Sequence, residues 1–505
     1  MTPGTLADAL AAACRRWPER RALIHGPGGL TYAQLGFAVE RLGAGLRRLG
    51  VGRGDRVVCQ LSNRPEHLAA LGAAWASGAV HVGLDPETTG RELARAVALT
   101  EPRVLIYEPR TGDADPFLAL RAILAGHPGV RVVVAGDLPA PAGCLPLAGL
   151  LADGGEAPAG PAPEDPALIF LSSGTTGLPK ATLGYHGNLS QRWQRLGGWL
   201  GFTPEDVHLA HLPLSHGFGL MMAVAALLTG GRLVLLPGFS TEEALAAIGA
   251  ERVTVLNGAP AHFQLVLGRR DPARHDLGSL RFGVGTAASF PPPLLRAIWD
   301  ELGMELAYMY GSSEGVGVAT TDREDMLLGS VGRPVPGSVA IVGPDRAPLP
   351  DGEIGEIAFS RTVYPVRYWG TESGAAAAVA GSWYYSGDLG RLDAEGRLYV
   401  HGRLKHQIDR GGLKIDPVEV EAALLGCAGI ADAAVVGRPH PILGETVCAC
   451  VVPAAGEVPG LDSLRSALAG VLAPSKLPED LRVLERIPRT KLGKVDLPAL
   501  RALAG

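Results

Sequence analysis

The sequence predicts an α/β protein: a large N-terminal domain of layered βαβ subdomains plus a β-rich subdomain (residues 1–402), and a small mobile α+β C-terminal domain (residues 403–505). Three observations predict it. Short apolar runs alternate with stretches of helical spacing as far as Gly311, the pattern of βαβ units around a parallel sheet. After Gly329 the texture changes to short strands and Gly/Asp turns, as in Gly352-Glu-Ile-Gly-Glu-Ile-Ala-Phe359. From Arg403 onward helix and strand patterns return in one smaller piece.

The elements follow in order. Thr5–Arg16 has helical spacing (Leu6, Leu10, Ala13). Ala22–Ile24 and Gly29–Thr31 read as a hairpin, and Thr31 then caps a helix running to Leu49-Gly50. Asp55–Leu61, Ala79–Leu84, Val104–Tyr107 and Val130–Val134 read as strands, with helices over Pro65–Gly78 and Glu92–Leu99. Ala152–Ala167 is rich in Gly, Pro, Ala and acids and reads as a surface linker. Alternation resumes with strands Val207–His211, Arg232–Leu236, Val253–Leu256, Leu280–Val284 and Leu306–Tyr310. The intervening helices are Gly219–Leu228, Thr241–Ile248, Pro260–Leu267 and Pro293–Leu302. The last part reads as helix Pro417–Leu425, strands Ala433–Val436 and Val447–Val452, helix Leu461–Leu472, and a polar tail.

With 505 residues, 47% hydrophobic and 19% charged, the chain can bury large cores in more than one domain. A net charge of −5 favours neither nucleic acid nor anionic lipid as a partner. Six cysteines in this length are no disulfide framework, and Cys448-x-Cys450 reads as core packing before it reads as a metal site. The first residues form no signal h-region, and the longest apolar run, Leu220–Leu228, is too short to span a bilayer. These features predict a cytoplasmic protein.

The chemistry centres on Ile169-Phe-Leu-Ser-Ser-Gly-Thr-Thr-Gly-Leu-Pro-Lys180. An apolar strand ends in a loop of hydroxyls and glycines closed by a lysine. Glycines let backbone N–H groups approach anionic oxygens, hydroxyls add donors, and Lys180 adds charge. The order is not that of a Walker A loop, because the lysine follows Pro179 and precedes Ala181.

Further stations stand in sequence behind this loop: Tyr310-Gly-Ser-Ser-Glu314, Tyr384-Tyr-Ser-Gly-Asp388, His401-Gly-Arg403 and Pro488-Arg-Thr-Lys-Leu-Gly-Lys494. Together they resemble the adenylate-forming superfamily of acyl-CoA synthetases, peptide-synthetase adenylation domains and luciferases, closest in type to acyl- or aryl-CoA ligases. The resemblance implies that Ser172, Ser173, Gly174, Thr175, Thr176, Gly177 and Lys180 hold the pyrophosphate part of ATP. Glu314, with Thr176, would bind Mg²⁺, since a hard carboxylate suits a cation bridging phosphates. Tyr310 would stack on adenine beside Gly311 and Ser312, and Ser313 keeps the hydroxyl of the family's threonine. Gly285, Thr286 and Ala287 fall where the family has an adenine-binding turn. Asp388 would accept from the ribose hydroxyls, Arg403 would contact ribose and phosphate, and Lys494 would be the catalytic lysine. His406 stands at the hinge position, where its protonation would bias the domain equilibrium.

Leu209-Ala-His-Leu-Pro-Leu-Ser-His-Gly-Phe-Gly-Leu220 resembles the acyl-pocket entry, with His216 at the gating aromatic position. Amino-acid-activating relatives hold the substrate ammonium with an aspartate here, yet His208–Thr229 contains no acidic residue. A buried ammonium without a carboxylate is costly, so the acid is expected to lack an α-amine. Gly283-Val-Gly-Thr-Ala-Ala288 also spells a dinucleotide fingerprint. Pro291, Pro292 and Pro293 prevent a helix from starting at the glycines, which that role requires.

The resemblance thus implies activation of a small carboxylic acid as acyl-AMP with release of pyrophosphate. Transfer to a thiol follows, first of all coenzyme A, for which Gly411-Gly412 resembles the pantetheine-tunnel loop. Two alternatives stay open: loading of a carrier protein's phosphopantetheine, and a catalytically silent nucleotide-binding relative.

Overall fold

The computed structural model describes residues 4–110, 115–151, 160–172, 180–314, 316–370, 378–454, 460–490 and 493–504, the side chains of Ser172 and Lys180 apart. Four sheets carry the fold. The first is built on the parallel strands Arg56–Gln60, Val80–Leu84, Val104–Tyr107 and Arg131–Val134, and extends through Pro166–Ser172 to Lys180–Tyr185. The second has eight strands. Its parallel centre is Val207–Ala210, Arg232–Leu235, Val255–Leu256, Phe282–Gly285 and Glu305–Gly311. The N-terminal hairpin Arg21–His25/Gly28–Thr31 closes one edge of this sheet, and the antiparallel Gly317–Thr320 closes the other. Central strands buried on both faces explain the unbroken apolar runs in the sequence.

Local chemistry sets the helix starts. Thr5, Thr31 and Thr89 each form a capping box, with Asp8, Gln34 and Glu92 respectively. Pro65 and Pro260 lie at first helical positions.

The third sheet is antiparallel: Val339–Val342, Gly355–Ser360, Val379–Ala380, Trp383–Leu392 and Leu398–Arg403. A single 3₁₀ turn, Leu404–His406, follows. Every strand of the fourth sheet comes after it: Ile408–Arg410, Leu413–Ile415, Ile430–His440, Gly444–Pro453 and Asp480–Val483.

The structure corrects several expectations. The polar tail is a helix, Leu497–Ala504, whose Leu500 and Ala504 are buried against Ala434, Val436, Cys448 and Cys450. Those two cysteines are thus core, as their spacing suggested. Helices Leu118–Gly126 and His186–Trp199 and the strand Lys180–Tyr185 went unpredicted. The first of these helices has no capping side chain, and the second buries only a sparse stripe including Leu189, Trp193 and Gly197 among polar residues. The strand at Val207 stops at Ala210, and the helix from Leu461 ends at Leu468. Of the presumed linker, residues 152–159 lie outside the described residues, and a strand starts at Pro166. Among the described residues no helix is long and apolar enough to cross a membrane.

Candidate active site

The strands Pro166–Ser172 and Lys180–Tyr185 are antiparallel, with Ser172 opposite Lys180. The candidate phosphate residues Ser173, Gly174, Thr175, Thr176 and Gly177 lie outside the described residues, in the connection between these strands.

Asp388 sits on the strand Trp383–Leu392, directly opposite Arg403. It is buried, and both its oxygens are engaged. Arg403 Nε lies 2.7 Å from Oδ1, and the Tyr310 hydroxyl donates to Oδ2 at 2.7 Å. This bond fixes the orientation of the Tyr310 ring. Burial, then the Asp388 charge, holds the Tyr310 phenol well above its ordinary pKa, so it stays a donor.

Glu314 lies just past the end of the strand Glu305–Gly311. Its carboxylate accepts from the Tyr368 hydroxyl at 3.3 Å, and its charge reaches the Tyr384 phenol. Desolvation and the Glu314 charge push both phenols upward, so they too remain donors. Ser312 Oγ is buried without a hydrogen-bond partner, beside the intermediate-exposure Ser313 and Glu314.

Gly285 ends the strand Phe282–Gly285, and Thr286 N–H donates to Gly258 O at 3.0 Å, which carries the ladder one residue further. Ala287 takes φ +78°, a left-handed conformation rare for a non-glycine residue and typical of constrained functional turns. The nearest following helix starts at Pro292, so no helix N-terminus faces the glycines and the dinucleotide reading fails structurally as well.

His216 is the N-cap of the helix Gly217–Leu228. A tight turn places it: His216 N–H donates to Pro213 O at 3.0 Å, and Leu220 N–H to His216 O at 2.9 Å. Gly219 permits the turn, because a Cβ there would lie 2.4 Å from Pro213 O. Beyond His216, Phe218 and Met221 join Leu196 and Met309 against Met222, Val255, Phe282 and Val284 in an apolar cluster. Burial, then the Lys494 charge, holds His216 down at about 4, so it is neutral at pH 7.

Lys494 is exposed, yet its ammonium lies within electrostatic reach of Arg403, Asp388 and His216. Desolvation, then Arg403, lowers its pKa, and Asp388 opposes them. One cleft therefore collects Lys494, Arg403, Asp388, Tyr310 and His216. His406 is held at about 4 by burial and by Lys405, Arg403 and Arg501, so in this arrangement it is neutral throughout pH 6–8.

Sequence reasoning missed three residues here. Tyr368 reaches Glu314 only because a β-bridge joins it to Thr182. Asn63 clamps the entry loop: its Nδ2 donates to Ala210 O (3.0 Å) and Leu212 O (2.9 Å), and its Oδ1 accepts from Leu214 N–H (2.9 Å). Ala259 contacts the lysine loop. Tyr368 lies in an aromatic run, Tyr364–Trp369, which was a signal of sorts; Asn63 had none, and Ala259 lies in Val253–Phe263, a stretch the resemblance implies as pocket wall but not as a contact of the lysine loop.

This geometry agrees with comparison to known proteins. A match to the family described as AMP-binding enzyme covers residues 10–369, and one to the AMP-binding enzyme C-terminal domain covers residues 419–494. The chain belongs to the AMP-binding enzyme family. This AMP-binding enzyme is 34% identical to a 2-hydroxy-7-methoxy-5-methyl-1-naphthoate–CoA ligase of Streptomyces carzinostaticus, over 99% of this chain and 93% of the relative. It is 34% identical to a feruloyl-CoA synthase of an Amycolatopsis species, over 95% of this chain and 96% of the relative. Among solved structures it is similar to ATP-bound MatB from Rhodopseudomonas palustris, with a TM-score of 0.85, 27% identity and 98% of each chain covered. It is an AMP-forming acid–thiol ligase, which activates a carboxylic acid as acyl-AMP and passes the acyl group to a thiol.

Proposed function

We propose that the protein converts an aromatic carboxylic acid lacking an α-amine into its coenzyme A thioester, with ATP as the activating substrate. The observation that carries the reading is the convergence of Lys494, Arg403 and Asp388 in one cleft, with His216 and an apolar wall beside it. The acids named for the two similar ligases, a naphthoate and ferulate, are aromatic, and an apolar wall of Phe218, Met221 and Met309 suits a ring.

A carboxylate is a poor electrophile, so it is first made into a mixed anhydride. The acid sits past His216, whose neutral imidazole brings no charge to the pocket mouth. Asp388 and Arg403 orient the ribose, the Tyr310 ring lies against the adenine, and the turn at Gly285, Thr286 and Ala287 borders it. Gly311 and Ser312 bring the backbone close, and the Ser313 hydroxyl faces the α-phosphate. Ser172, Ser173, Gly174, Thr175, Thr176, Gly177 and Lys180 hold the β- and γ-phosphates. As the carboxylate attacks the α-phosphorus, negative charge grows on the attacking and equatorial oxygens. The Lys494 ammonium stabilises that charge more in the transition state than in the ground state.

A carboxylate held by a phenol donor is a fitting ligand for a hard cation, so Glu314, with Thr176, would hold Mg²⁺. When bound, that ion neutralises charge on the phosphates. Transfer to the thiol needs other groups at the same carbonyl. We therefore assign residues 1–402 as the adenylation core and 403–505 as a domain that swings about Leu404–His406, bringing Gly411-Gly412 to the thiol.

A screen of pyrophosphate release with aryl, short-chain and long-chain acids, each with coenzyme A or a carrier protein as acceptor, tests this. Aryl acids with coenzyme A are expected to give the highest kcat/KM. A preference for amino acids, or thioester formed only on the carrier protein, would overturn the reading.

A further inference from the structure

Hydrogen bonds tie Thr490, Gly493 and Lys494 together. Thr490 N–H donates to Lys494 O at 2.7 Å, and Gly493 N–H to Thr490 O at 2.8 Å, closing a tight turn. Arg489 ties this turn to the fourth sheet: Nη2 reaches both oxygens of Asp432 at 2.8 Å, while Nη1 donates to Gly493 O at 3.1 Å.

The turn meets a surface on the second sheet's side of the cleft. The helix Pro260–Arg269 has Ala259 as N-cap, which offers no side-chain acceptor. His262 supplies one instead: its Nδ1 accepts from Ala259 N–H at 3.0 Å. The ring, 4% exposed, is wedged edge-on against Phe239 at 4.5 Å and beside His211 at 5.1 Å.

Gly493 is pressed onto this corner. A Cβ there would lie 2.7 Å from the Ala259 methyl, 3.3 Å from His262 Cε1 and 3.5 Å from Nδ1. The residue also takes φ +75°. The two demands for glycine differ in kind: the φ belongs to the turn wherever it goes, whereas the contact exists only while the turn is docked.

We infer that Ala259 and His262 are the seat for the lysine loop, acting as positioning residues that aim Lys494 during adenylation and are vacated for thiol transfer. The inference rests on the proposed role of Lys494. Nothing but a small side chain at position 259 lets the turn close, and the locked imidazole fixes how far it travels.

The test separates the half-reactions: pyrophosphate release from acid and MgATP, and thioester formation from synthetic acyl-AMP and coenzyme A. Ala259→Val is expected to slow the first roughly 100-fold, the scale of an ångström of misplacement, and to leave the second within about twofold. In a Lys494→Ala background Ala259→Val is expected to cost nothing more, because the seat acts only through the lysine. Gly493→Ala is expected to lose adenylation, and adding Ala259→Gly to recover part of it by removing the methyl in the way; this pair serves even if Ala259→Val folds poorly. Equal loss of both half-reactions in Ala259→Val, a further fall in the double variant, or no rescue would overturn the seat. Full activity of Ala259→Val with an inactive Lys494→Ala overturns the seat alone, whereas an active Lys494→Ala overturns the role of the lysine and the seat with it.

Discussion

Each oxygen of Asp388 already has a protein partner, Arg403 on one and Tyr310 on the other, within 2.7 Å. A carboxylate has about four acceptor positions, so two remain for a vicinal diol. An amide at this place would keep one acceptor and turn two donors toward Arg403 or the Tyr310 hydroxyl. Asp388→Asn is therefore expected to raise the KM for ATP and cut adenylation by about tenfold or more, at the cost of one charge-assisted bond. Steady-state pyrophosphate release at varied ATP checks it, and an unchanged KM would count against the ribose role. Asn63→Ala would strand the Leu212 carbonyl and the Leu214 N–H of the entry loop, while Ala210 O keeps Leu236 N–H, at about 1–3 kcal/mol for each unsatisfied group. Urea unfolding measures that loss. At this scale, legibility followed chain continuity. Asp388, Arg403, Glu314 and Lys494 each sit in a short run that singles them out by its resemblance to the family's motifs, whereas Ser-Gly-Asp388 alone reads as a turn and Lys494 alone as part of a basic tail. Asn63, Tyr368 and Ala259 act through partners more than a hundred residues away, or across a bridge that only the folded chain creates.

Among elements, the long periodic helices and buried strands were legible, because capping residues and unbroken apolar runs are local signals. The closing helix Leu497–Ala504 was not, since its short stripe competes with the charged residues before it. Its anchor is Leu500, fully buried. Leu500→Ala is expected to cost about 2–5 kcal/mol in the unfolding of this part of the chain. The 3₁₀ turn Leu404–His406 carries a second prediction. His406 is held at about 4 here, so this arrangement favours its neutral form. If the imidazole returns to its ordinary value when the domain swings, the advantage is complete above pH 6.5 and shrinks as pH falls below it. The ratio of adenylation to thiol transfer should then drop roughly fourfold between pH 8 and pH 6. A flat ratio would mean that His406 is equally buried in both arrangements.

At the scale of the molecule, the fold class was legible from alternation, the change of texture after Gly329 and the smaller piece from Arg403, but the division into two N-terminal sheets was not. Both sheets are parallel at the centre, with antiparallel strands at both edges of the second and at one edge of the first, and nothing local says which sheet a strand joins. The cores hold an unusual set of histidines. His81, His186, His208 and His211 are buried with both ring nitrogens lacking partners, and burial pushes His67, His186, His208, His216 and His262 to about 4. Between pH 4 and 6.5 the unfolded chain therefore binds more protons than the native one. These histidines should withdraw stability as pH drops below 6.5, against the smaller opposing contribution of Glu421, whose carboxyl burial pushes up to about 8. Thermal midpoints across that range check this, and a midpoint unchanged down to pH 5 would contradict it.

In the proposed reaction, adenylation depends on one ammonium, that of Lys494, within electrostatic reach of Asp388, Arg403 and His216. The most direct test is Lys494→Ala followed through each half-reaction separately. The structure predicts that pyrophosphate release from an aryl acid and MgATP falls at least about 100-fold, while transfer of the acyl group from synthetic acyl-AMP to coenzyme A stays within about twofold. Equal loss of both steps, or none in the first, would contradict it.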